Sequence, residues 1–363
     1  MNRLNFIVLL RAIACLGVLF HHLFLIANPR PSIILQHFLS HGNTGVIMFF
    51  IISGFVVLMS LEKLNIREFI VHRIFRIYPA LFAVSALSLL VYFTHRSSIN
   101  FDGNYFHLIP NLLLLSDFIP SPGLFAIPHW TLIIEIKFYL ICLVFFFFCK
   151  KIDLKHIIIY SIIGYLITLG CIDYLVKKGD TFWVDGNTVF RNISFSSFAN
   201  QFSGFKFFKV QMSIFLVKTI SFTIIMFIGS IVYLHYKNRI DAITMILSVV
   251  LLLFLSNTLR FENNTIVAKE YIMPIVVFIL LYINAPNIKL PKFVHFLADI
   301  SYSMYLSHNL VAQTMFPNFY SGNIENRNVC AVLVIICTIF VSWLLFKYIE
   351  KPAINFSKKL FIK

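Results

Sequence analysis

The sequence predicts an all-α fold, a polytopic bundle of about ten transmembrane helices with both termini in the cytoplasm. Only 12% of its 363 residues are charged and 59% are hydrophobic, whereas a soluble chain carries roughly 25% charged residues. Many apolar stretches approach 20 residues, which is the length of a membrane-spanning helix. They are continuously apolar and do not alternate like the strands of a membrane barrel. We interpret residues 1–363 as one transmembrane domain.

Hydropathy and charge together give the predicted topology. The ten predicted spans are residues 5–27, 43–61, 77–94, 130–149, 156–175, 218–236, 241–257, 269–285, 296–316 and 329–349. With the N-terminus inside, the cytoplasmic segments hold about twice as many Lys and Arg as the opposite ones, as the positive-inside rule requires. That bias also explains the net charge of +15, so we expect no nucleic-acid partner. The Phe-rich segment 176–217 is predicted as an outer loop, and an interfacial helix, a lid and a poorly ordered loop remain alternatives.

The cysteines give no sign of a metal site. None of the six forms a CxxC pair or keeps the spacing of metal ligands. We therefore interpret them as small apolar fillers and predict no bound metal. The N-terminal span lacks a small-residue cleavage site, so no removable signal peptide is expected.

The first span contains two polar side chains that are unusual in a membrane. Arg11 and His22 follow an R-x10-H spacing inside an apolar run. Eleven helical steps make about three turns, so both side chains share one face, about 16 Å apart along the axis. His22 lies near the outer end, where an imidazole suits general base catalysis on a hydroxyl. A buried structural pair is the alternative, and the adjacent His21 is the substitute if the register differs.

A basic segment follows the second span. Arg67, His72, Arg73 and Arg76 lie on the predicted cytoplasmic side, and Arg73 and Arg76 are three residues apart on one helix face. Arginine forks suit phosphate oxygens, so this pair is a candidate clamp for a phosphorylated ligand. Ordinary positive-inside anchoring is the alternative.

The fourth span begins with a polar segment. Glu135 lies about five residues inside an apolar stretch, where a carboxyl group needs a partner or a proton. Tyr139 is its i,i+4 neighbour, whereas Lys137 is two residues away and faces elsewhere. Trp130 alone would be typical of the aromatic belt at a membrane interface.

Three further features lie in other spans. In the ninth, Ser301, Tyr305 and His308 form one polar stripe, which predicts contact with protein or with a cavity rather than with lipid. In the second, Ser53-Gly54 favours close helix packing. After the tenth, we interpret Glu350 and Pro352 as a structural helix end.

Six segments in this order resemble the acyltransferase-3 family of membrane acyltransferases. They are LRAIACLGVLFHH, GVIMFFIISGFVV, HRIFRIYPA, HWTLIIEIKFYL, ADISYSMYLSHNLV and FKYIEKP. The family's R-x10-H pattern falls on Arg11 and His22, and its RxxR pattern on Arg73 and Arg76. Its W-x-L-x-x-E-x-x-FY pattern falls on Trp130, Leu132, Glu135, Phe138 and Tyr139. Its late SY-x-x-YL-x-H pattern falls on Ser301, Tyr302, Tyr305, Leu306 and His308.

This resemblance implies transfer of an acyl group, usually acetyl, from cytosolic acyl-CoA to a sugar hydroxyl of a cell-surface polysaccharide or its lipid-linked precursor. Acetyl-CoA is then a donor substrate, and no bound cofactor is expected. The chain departs from the family at Ile136 and Lys137, where many members carry polar residues. It resembles the stand-alone type, which has no extracytoplasmic esterase-like domain, and the resemblance implies a bacterial inner membrane. The sequence gives no indication of oligomeric state.

A mechanism follows as a hypothesis. Arg73 and Arg76 bind acyl-CoA, His22 takes a proton from the acceptor hydroxyl, and Glu135 orients or charges His22. Arg11 steadies the donor or the developing oxyanion. The remaining motif residues line the site or contact the acceptor: Trp130, Tyr139, Ser301, Tyr305 and His308. A covalent acyl-enzyme relay is an alternative.

Two other functions remain open. Intramembrane charges and a basic inner face also fit a transporter or flippase of a glycan or acylated metabolite without covalent chemistry. A binding or sensor protein with a degenerate site is a further alternative. A transporter moves its cargo unchanged and consumes no acyl-CoA.

Overall fold

The computed structural model describes residues 4–26, 42–94, 108–117, 129–176, 205–258, 266–284, 288–316 and 327–361. All regular structure within these residues is helical. The helices are α1 (Asn5–Phe20), α2 (Gly42–Leu61), α3 (Ile66–Thr94), α4 (Leu108–Leu112), α5 (His129–Cys149), α6 (Leu154–Val176), α7 (Phe205–Tyr236), α8 (Ala242–Thr258), α9 (Ile266–Asn284), α10 (Lys292–Met315), α11 (Arg327–Leu345) and α12 (Lys351–Lys359). A first π-helical turn, His21–Ile26, continues α1, and a second, Phe346–Glu350, joins α11 to α12.

The prediction of a polytopic helical membrane protein is confirmed. A helix lies at each of the ten predicted spans. Among the described residues, seven helices are long and apolar enough to cross a membrane, namely α1, α2, α3, α5, α6, α7 and the α11–α12 segment. Helices α8 and α9 are apolar but shorter. Helix α10 is long but rich in Ser, Tyr and His, so its sequence is less apolar than those of the helices at the other predicted spans.

Three boundaries differ from the prediction. Helix α7 begins at Phe205, so the last part of the predicted loop 176–217 is helical; residues 177–204 of that loop lie outside the described residues. Lysines lower the local hydropathy there but do not break a helix. Helix α3 likewise begins at Ile66, well before the predicted span. After α11, Glu350 and Pro352 do not end the helix, because Pro352 lies in the first turn of α12, where its missing N–H is tolerated.

Local capping explains two of the helix starts. Before α3, the Asn65 side chain accepts a hydrogen bond from Glu68 N at 2.9 Å, and the Glu68 carboxylate accepts one from Asn65 N at 3.3 Å. This reciprocal pair is a capping box. Before α8, Asp241 accepts a hydrogen bond from Thr244 N at 3.2 Å, and hydrogen bonding to Thr244 lowers the pKa of Asp241.

The chain forms two compact units. The first comprises residues 1–49, 63–133 and 276–363, and the second comprises residues 50–62 and 134–275. Helices α2, α5 and α9 contribute residues to both. The single transmembrane domain over residues 1–363 stays a prediction.

In the first unit, α10 is the central helix, packed against α1, α3 and α11. The core between them consists of Cys15, Leu19, Leu23, Ile300, Met304, Val311, Ala312, Ala331 and Val334. Helix α2 approaches α1 at Gly45, where a Cβ atom would lie 2.6 Å from Ala14 O. Helix α12 packs on α3 through Phe75 and Phe356, whose ring centroids are 5.5 Å apart. The polar face of α10 is therefore enclosed by protein, as the sequence predicts.

The second unit packs through glycines. A Cβ atom at Gly54 of α2 would lie 1.7 Å from Met226 O, and one at Gly229 of α7 would lie 1.9 Å from Ile51 O. Ser230 Oγ also donates a hydrogen bond to Gly54 O at 2.9 Å. This contact confirms the close packing predicted from Ser53-Gly54, because only glycine lets two helix backbones approach so closely.

Two polar contacts join segments that the topology places on one side of the membrane. Asn5 Nδ2 donates to Ile288 O at 2.8 Å in the first unit. In the second unit, Arg239 forms an ion pair of 2.6 Å with Glu62. All four residues lie at or next to predicted cytoplasmic segments. These contacts agree with alternating spans, and the placement of the termini in the cytoplasm stays a prediction.

Candidate active site

Helices α1 and α10 lie side by side in a constant register. The Cys15 thiol lies 3.6 Å from Ser301 O, and the ring of His22 lies 5.0 Å from the ring of His308. Both pairs join residues that are 286 positions apart, so the two helices run in the same direction. The polar residues predicted on each helix therefore face each other across one helix pair.

The imidazole end of this pair is formed by His22 and His308. His22 lies in the first π-helical turn and is partly exposed, whereas His308 is only 1% exposed. The ring planes are inclined by 56°, and His21 also contacts His22, with a centroid distance of 5.5 Å. π-Helical turns inside α-helices occur frequently at functional sites. This end thus combines a partly exposed imidazole with a buried one.

Aromatic and hydroxyl groups surround the imidazole end. Tyr305 and Thr131 share a hydrogen bond of 2.8 Å between their hydroxyl oxygens, which ties α10 to the start of α5. The Tyr305 ring lies 6.0 Å from Phe49 and 6.2 Å from His308. Trp130, the neighbour of Thr131, is partly buried at the same helix start. The motif residues Trp130, Tyr305 and His308 therefore belong to one region of the first unit.

The opposite end of the helix pair is charged. Arg11 Nη2 donates a hydrogen bond to Ser301 Oγ at 2.8 Å, and Ser301 Oγ donates to Ala298 O at 2.8 Å. The register places residue 297 opposite Arg11, so the guanidinium reaches about one turn along α10 to meet Ser301. Ser301 and His308 are seven residues apart, which leaves about 10 Å along the helix between the guanidinium and the imidazoles.

Arg11 belongs to a group of four charged side chains. The charges of Arg76, Glu350 and Asp299 all act on its guanidinium. Glu350 is 2% exposed and accepts a hydrogen bond of 2.8 Å from Ser303 Oγ. The charges of two arginines and two carboxyl groups therefore act on one another here, which offsets part of the cost of burying them. Arg11 therefore belongs to the charged end, and the account of Glu350 as only a structural helix end is incomplete.

The two arginines of the RxxR pattern have different surroundings. Arg76 interacts with the buried charges of Arg11 and Glu350. Arg73 lies over the ring of Phe69, with its Cζ atom 5.0 Å from the centroid. Tyr302 OH donates to Ile77 O at 2.9 Å and so fixes this part of α3 against α10. Arg76 thus connects the basic segment to the helix pair, while Arg73 lies one turn nearer the start of α3.

Glu135 lies in the second unit. Ser53 Oγ donates to Glu135 Oε1 at 2.8 Å, and Tyr139 OH donates to the same oxygen. Lys137 faces α7, where its Nζ donates to Thr219 Oγ1 at 2.9 Å and lies 3.8 Å from the ring centroid of Phe215. The predicted i,i+4 contact with Tyr139 is therefore present, and Lys137 does face elsewhere. The role of Glu135 in orienting His22 stays a prediction.

Some residues of the site were not predicted from the sequence. Asp299, Ser303 and Thr131 carry no motif of their own, and the two π-helical turns leave no periodic signal. Four-residue spacing on α10 could have indicated Asp299, because it shares a helix face with Ser303. Within the described ranges, no group of three or more His, Cys, Asp or Glu residues is arranged to hold a metal ion.

Comparison with known proteins identifies the family. The family model for acyltransferase family 3, described as an acyltransferase domain, matches residues 4–347. The chain belongs to the acyltransferase-3 family. All the site residues described above lie within the matched range, except Glu350, which lies three residues beyond it. The resemblance inferred from six ordered motifs is therefore confirmed.

A curated relative supports the same family. This acyltransferase-3 chain is 28% identical over 136 residues to the acyltransferase MdmB of Streptomyces mycarofaciens. The match covers 36% of this chain and 35% of that protein, so the chain spans about a third of the relative's length. No solved structure matches this acyltransferase-3 chain significantly. The chain is thus a membrane acyltransferase by family.

Proposed function

We propose that this protein transfers an acetyl or other short acyl group from cytosolic acyl-CoA to a sugar hydroxyl of a cell-surface polysaccharide or its lipid-linked precursor. One observation carries the proposal: a single helix pair holds an imidazole pair at one end and a partly buried network of arginines and carboxyl groups at the other. Acyl transfer from CoA needs both, a cationic site for phosphates and a base for the hydroxyl.

The donor is expected at the charged end. Coenzyme A carries phosphate groups at one end and its thioester at the other, joined by a long arm. Arg73 would bind a phosphate through its guanidinium fork. Arg76, whose charge interacts with that of Glu350, would connect this phosphate site to the helix pair. Arg11 would then steady the arm, because its guanidinium is held by Ser301 about 10 Å from the imidazoles.

The chemistry is expected at the imidazole end. His22 takes the proton of the sugar hydroxyl as its oxygen attacks the thioester carbonyl carbon, forming a carbon–oxygen bond and an oxyanion. The oxyanion then collapses, the carbon–sulfur bond breaks, and CoA leaves as a thiolate that takes the proton from His22. No oxidant, metal or bound cofactor is needed to balance the reaction.

Glu135 is proposed to assist on the acceptor side. Among the contacts made by the described residues, both of its hydrogen bonds go to Oε1, from Ser53 and Tyr139. A carboxylate that is anchored through one oxygen can accept a hydrogen bond at the other from a sugar hydroxyl. Trp130 and Tyr305 supply the aromatic surface that suits a sugar ring.

The test uses purified protein in nanodiscs with acetyl-CoA and a panel of bacterial surface glycans. We expect glycan-dependent release of free CoA thiol, together with a glycan whose mass increases by one acetyl group. A glycan that crosses the membrane unmodified, with no release of CoA, would instead support a transporter. Parallel reactions with longer acyl-CoA donors define the acyl chain.

A further inference from the structure

The buried imidazole His308 has a defined tautomer. Its Nδ1 lies 2.9 Å from Tyr305 O, the carbonyl three residues earlier on the same helix. A carbonyl oxygen only accepts hydrogen bonds, so Nδ1 must carry the proton. In a neutral imidazole the other nitrogen, Nε2, then has a lone pair and acts only as an acceptor.

This acceptor has no partner among the described residues. Nε2 of His308 is buried without a hydrogen bond, on a side chain that is 1% exposed. Buried polar atoms are nearly always hydrogen-bonded, and an unpartnered one destabilises the fold. Other buried groups of α10 do have partners: Ser301 pairs with Arg11, Ser303 with Glu350, and Ser307 with Ser342.

The ring next to this acceptor is that of His22. A hydrogen bond of about 2.9 Å between nitrogens on the edges of two imidazoles places their centroids about 5 Å apart, and the observed separation is 5.0 Å. The second side-chain torsion of histidine has a broad energy well. A rotation of the His22 ring about this bond is therefore enough to direct one of its N–H groups at His308 Nε2.

We propose that His308 is a positioning residue for His22, accepting a hydrogen bond from His22 N–H through its Nε2 atom. This inference deepens the proposed function and rests on it for its catalytic consequence. With one nitrogen of His22 committed to His308, the other keeps its lone pair and is directed at the acceptor hydroxyl. When His22 takes up the hydroxyl proton, the bond to His308 holds the resulting imidazolium.

The arrangement also explains why Tyr305 lies in the same stripe. Its backbone carbonyl fixes the tautomer of His308, while its hydroxyl is held by Thr131 at 2.8 Å. Thr131 thus restrains the Tyr305 side chain, whose ring lies beside that of His308. In this series of hydrogen bonds, the Tyr305 carbonyl accepts from His308 Nδ1–H, and His308 Nε2 accepts from His22 N–H. His22, the last residue of the series, is the proposed base.

Three substitutions of His308 separate positioning from packing. His308→Gln can place its amide oxygen near the original Nε2 and keep an acceptor there. His308→Leu fills the volume without an acceptor, and His308→Asn is too short to reach. Ser307→Ala is the matched control, because Ser307 is the buried neighbour on the same helix and contacts Ser342 on α11 instead.

The first readout is steady-state acyl transfer at varied acetyl-CoA, together with thermal unfolding and equilibrium CoA binding. We expect His308→Leu and His308→Asn to lower kcat about 30-fold to 100-fold, with KM for acetyl-CoA changed less than twofold. His308→Gln should recover at least tenfold over His308→Leu, and Ser307→Ala should match the original protein. Equal losses in the Gln and Leu variants, or full activity in the Leu variant, would overturn the positioning role.

The second readout does not depend on catalysis. Nitrogen-15 NMR of histidine-labelled protein in nanodiscs, with the His22 signals assigned by their loss in His22→Ala, reports the hydrogen bond directly. We expect the His22 signals to move in His308→Leu and to stay unchanged in Ser307→Ala. Unmoved His22 signals in His308→Leu would refute the inference. Moved signals in a protein that transfers no acyl group would support it and refute the proposed function.

Discussion

The two ends of the α1–α10 helix pair differ in how far their polar groups are hydrogen-bonded. At the charged end, Arg11 is held by Ser301 and Glu350 by Ser303, within a network that also contains Arg76 and Asp299. At the imidazole end, His308 retains an acceptor atom that has no hydrogen-bond partner among the described residues, beside a partly exposed His22. A satisfied network stabilises a fold, whereas an unsatisfied polar atom in a native structure calls for an explanation. The difference agrees with the proposal that the first end binds and supports while the second carries out the chemistry.

The largest expected effect is on the imidazole end. His22→Ala should lower kcat by about 10²-fold to 10⁴-fold, since a positioned general base contributes this much, with CoA binding retained. Rapid-quench measurement of acetyl transfer checks the prediction, and Ser307→Ala is its control. Transfer at an unchanged rate would remove His22 from the chemistry and end the distinction between the two ends.

Substitutions at the charged end should lower the stability of the protein more than they lower the rate of acyl transfer. Glu350→Ala removes a carboxyl group that balances Arg11 and Arg76, and breaking a buried ion network from one side costs about 3–5 kcal/mol. Denaturant or thermal unfolding in detergent measures the loss. The adjacent Lys351→Ala, at an exposed position, is the control. If both variants unfolded alike, Glu350 would not be part of a supporting network.

Donor binding gives a smaller and more specific effect. Arg73→Ala should raise KM for acetyl-CoA roughly tenfold, the value of one charge-assisted hydrogen bond, and should leave kcat nearly unchanged. Arg67→Ala, an exposed arginine of the same segment, tests whether net charge alone is responsible. The effect should weaken in high salt, because salt screens exposed charges. An equal rise in KM in both variants would point to general attraction rather than to a phosphate site.

The smallest expected effect is that of a single hydrogen bond. Ser303→Ala removes a donor to the Glu350 carboxylate and should lower stability by about 1–2 kcal/mol. Ser303→Thr, which keeps the hydroxyl, should recover most of this loss. Chemical denaturation measures both. An unchanged free energy of unfolding in Ser303→Ala would mean that Arg76 and Arg11 suffice to hold Glu350.

Periodicity predicted which residues share a face but not which faces meet. Hydropathy located the helices, because lipid requires long apolar segments. The i, i+4, i+7 spacing placed Ser301, Tyr305 and His308 on one stripe, and glycine at position 54 predicted a close helix contact. The pairing of α1 with α10 joins residues 286 apart and depends on complementary packing. No local pattern in a single sequence contains that information.

The charged end was the least predictable part of the site. Glu350 follows an apolar span and precedes Lys351-Pro352, so local reasoning gives a helix end. Its burial follows from the second π-helical turn, which directs residue 350 at Ser303 on α10. Helix α10 is less apolar than the other predicted spans, because its polar residues face protein and not lipid. A hydropathy scale that assumes contact with lipid therefore gives a weak signal for a polar helix at the centre of a bundle.

The separation of the two ends is tested most directly by measuring CoA binding and acetyl transfer on the same preparations of His22→Ala and Arg73→Ala. The structure predicts that His22→Ala binds CoA as the original protein does and transfers almost no acetyl group. It predicts that Arg73→Ala binds CoA more weakly and transfers at a near-normal rate once saturated. A His22→Ala protein that transfers acetyl to glycan at the original rate would contradict the assignment of chemistry to the imidazole end.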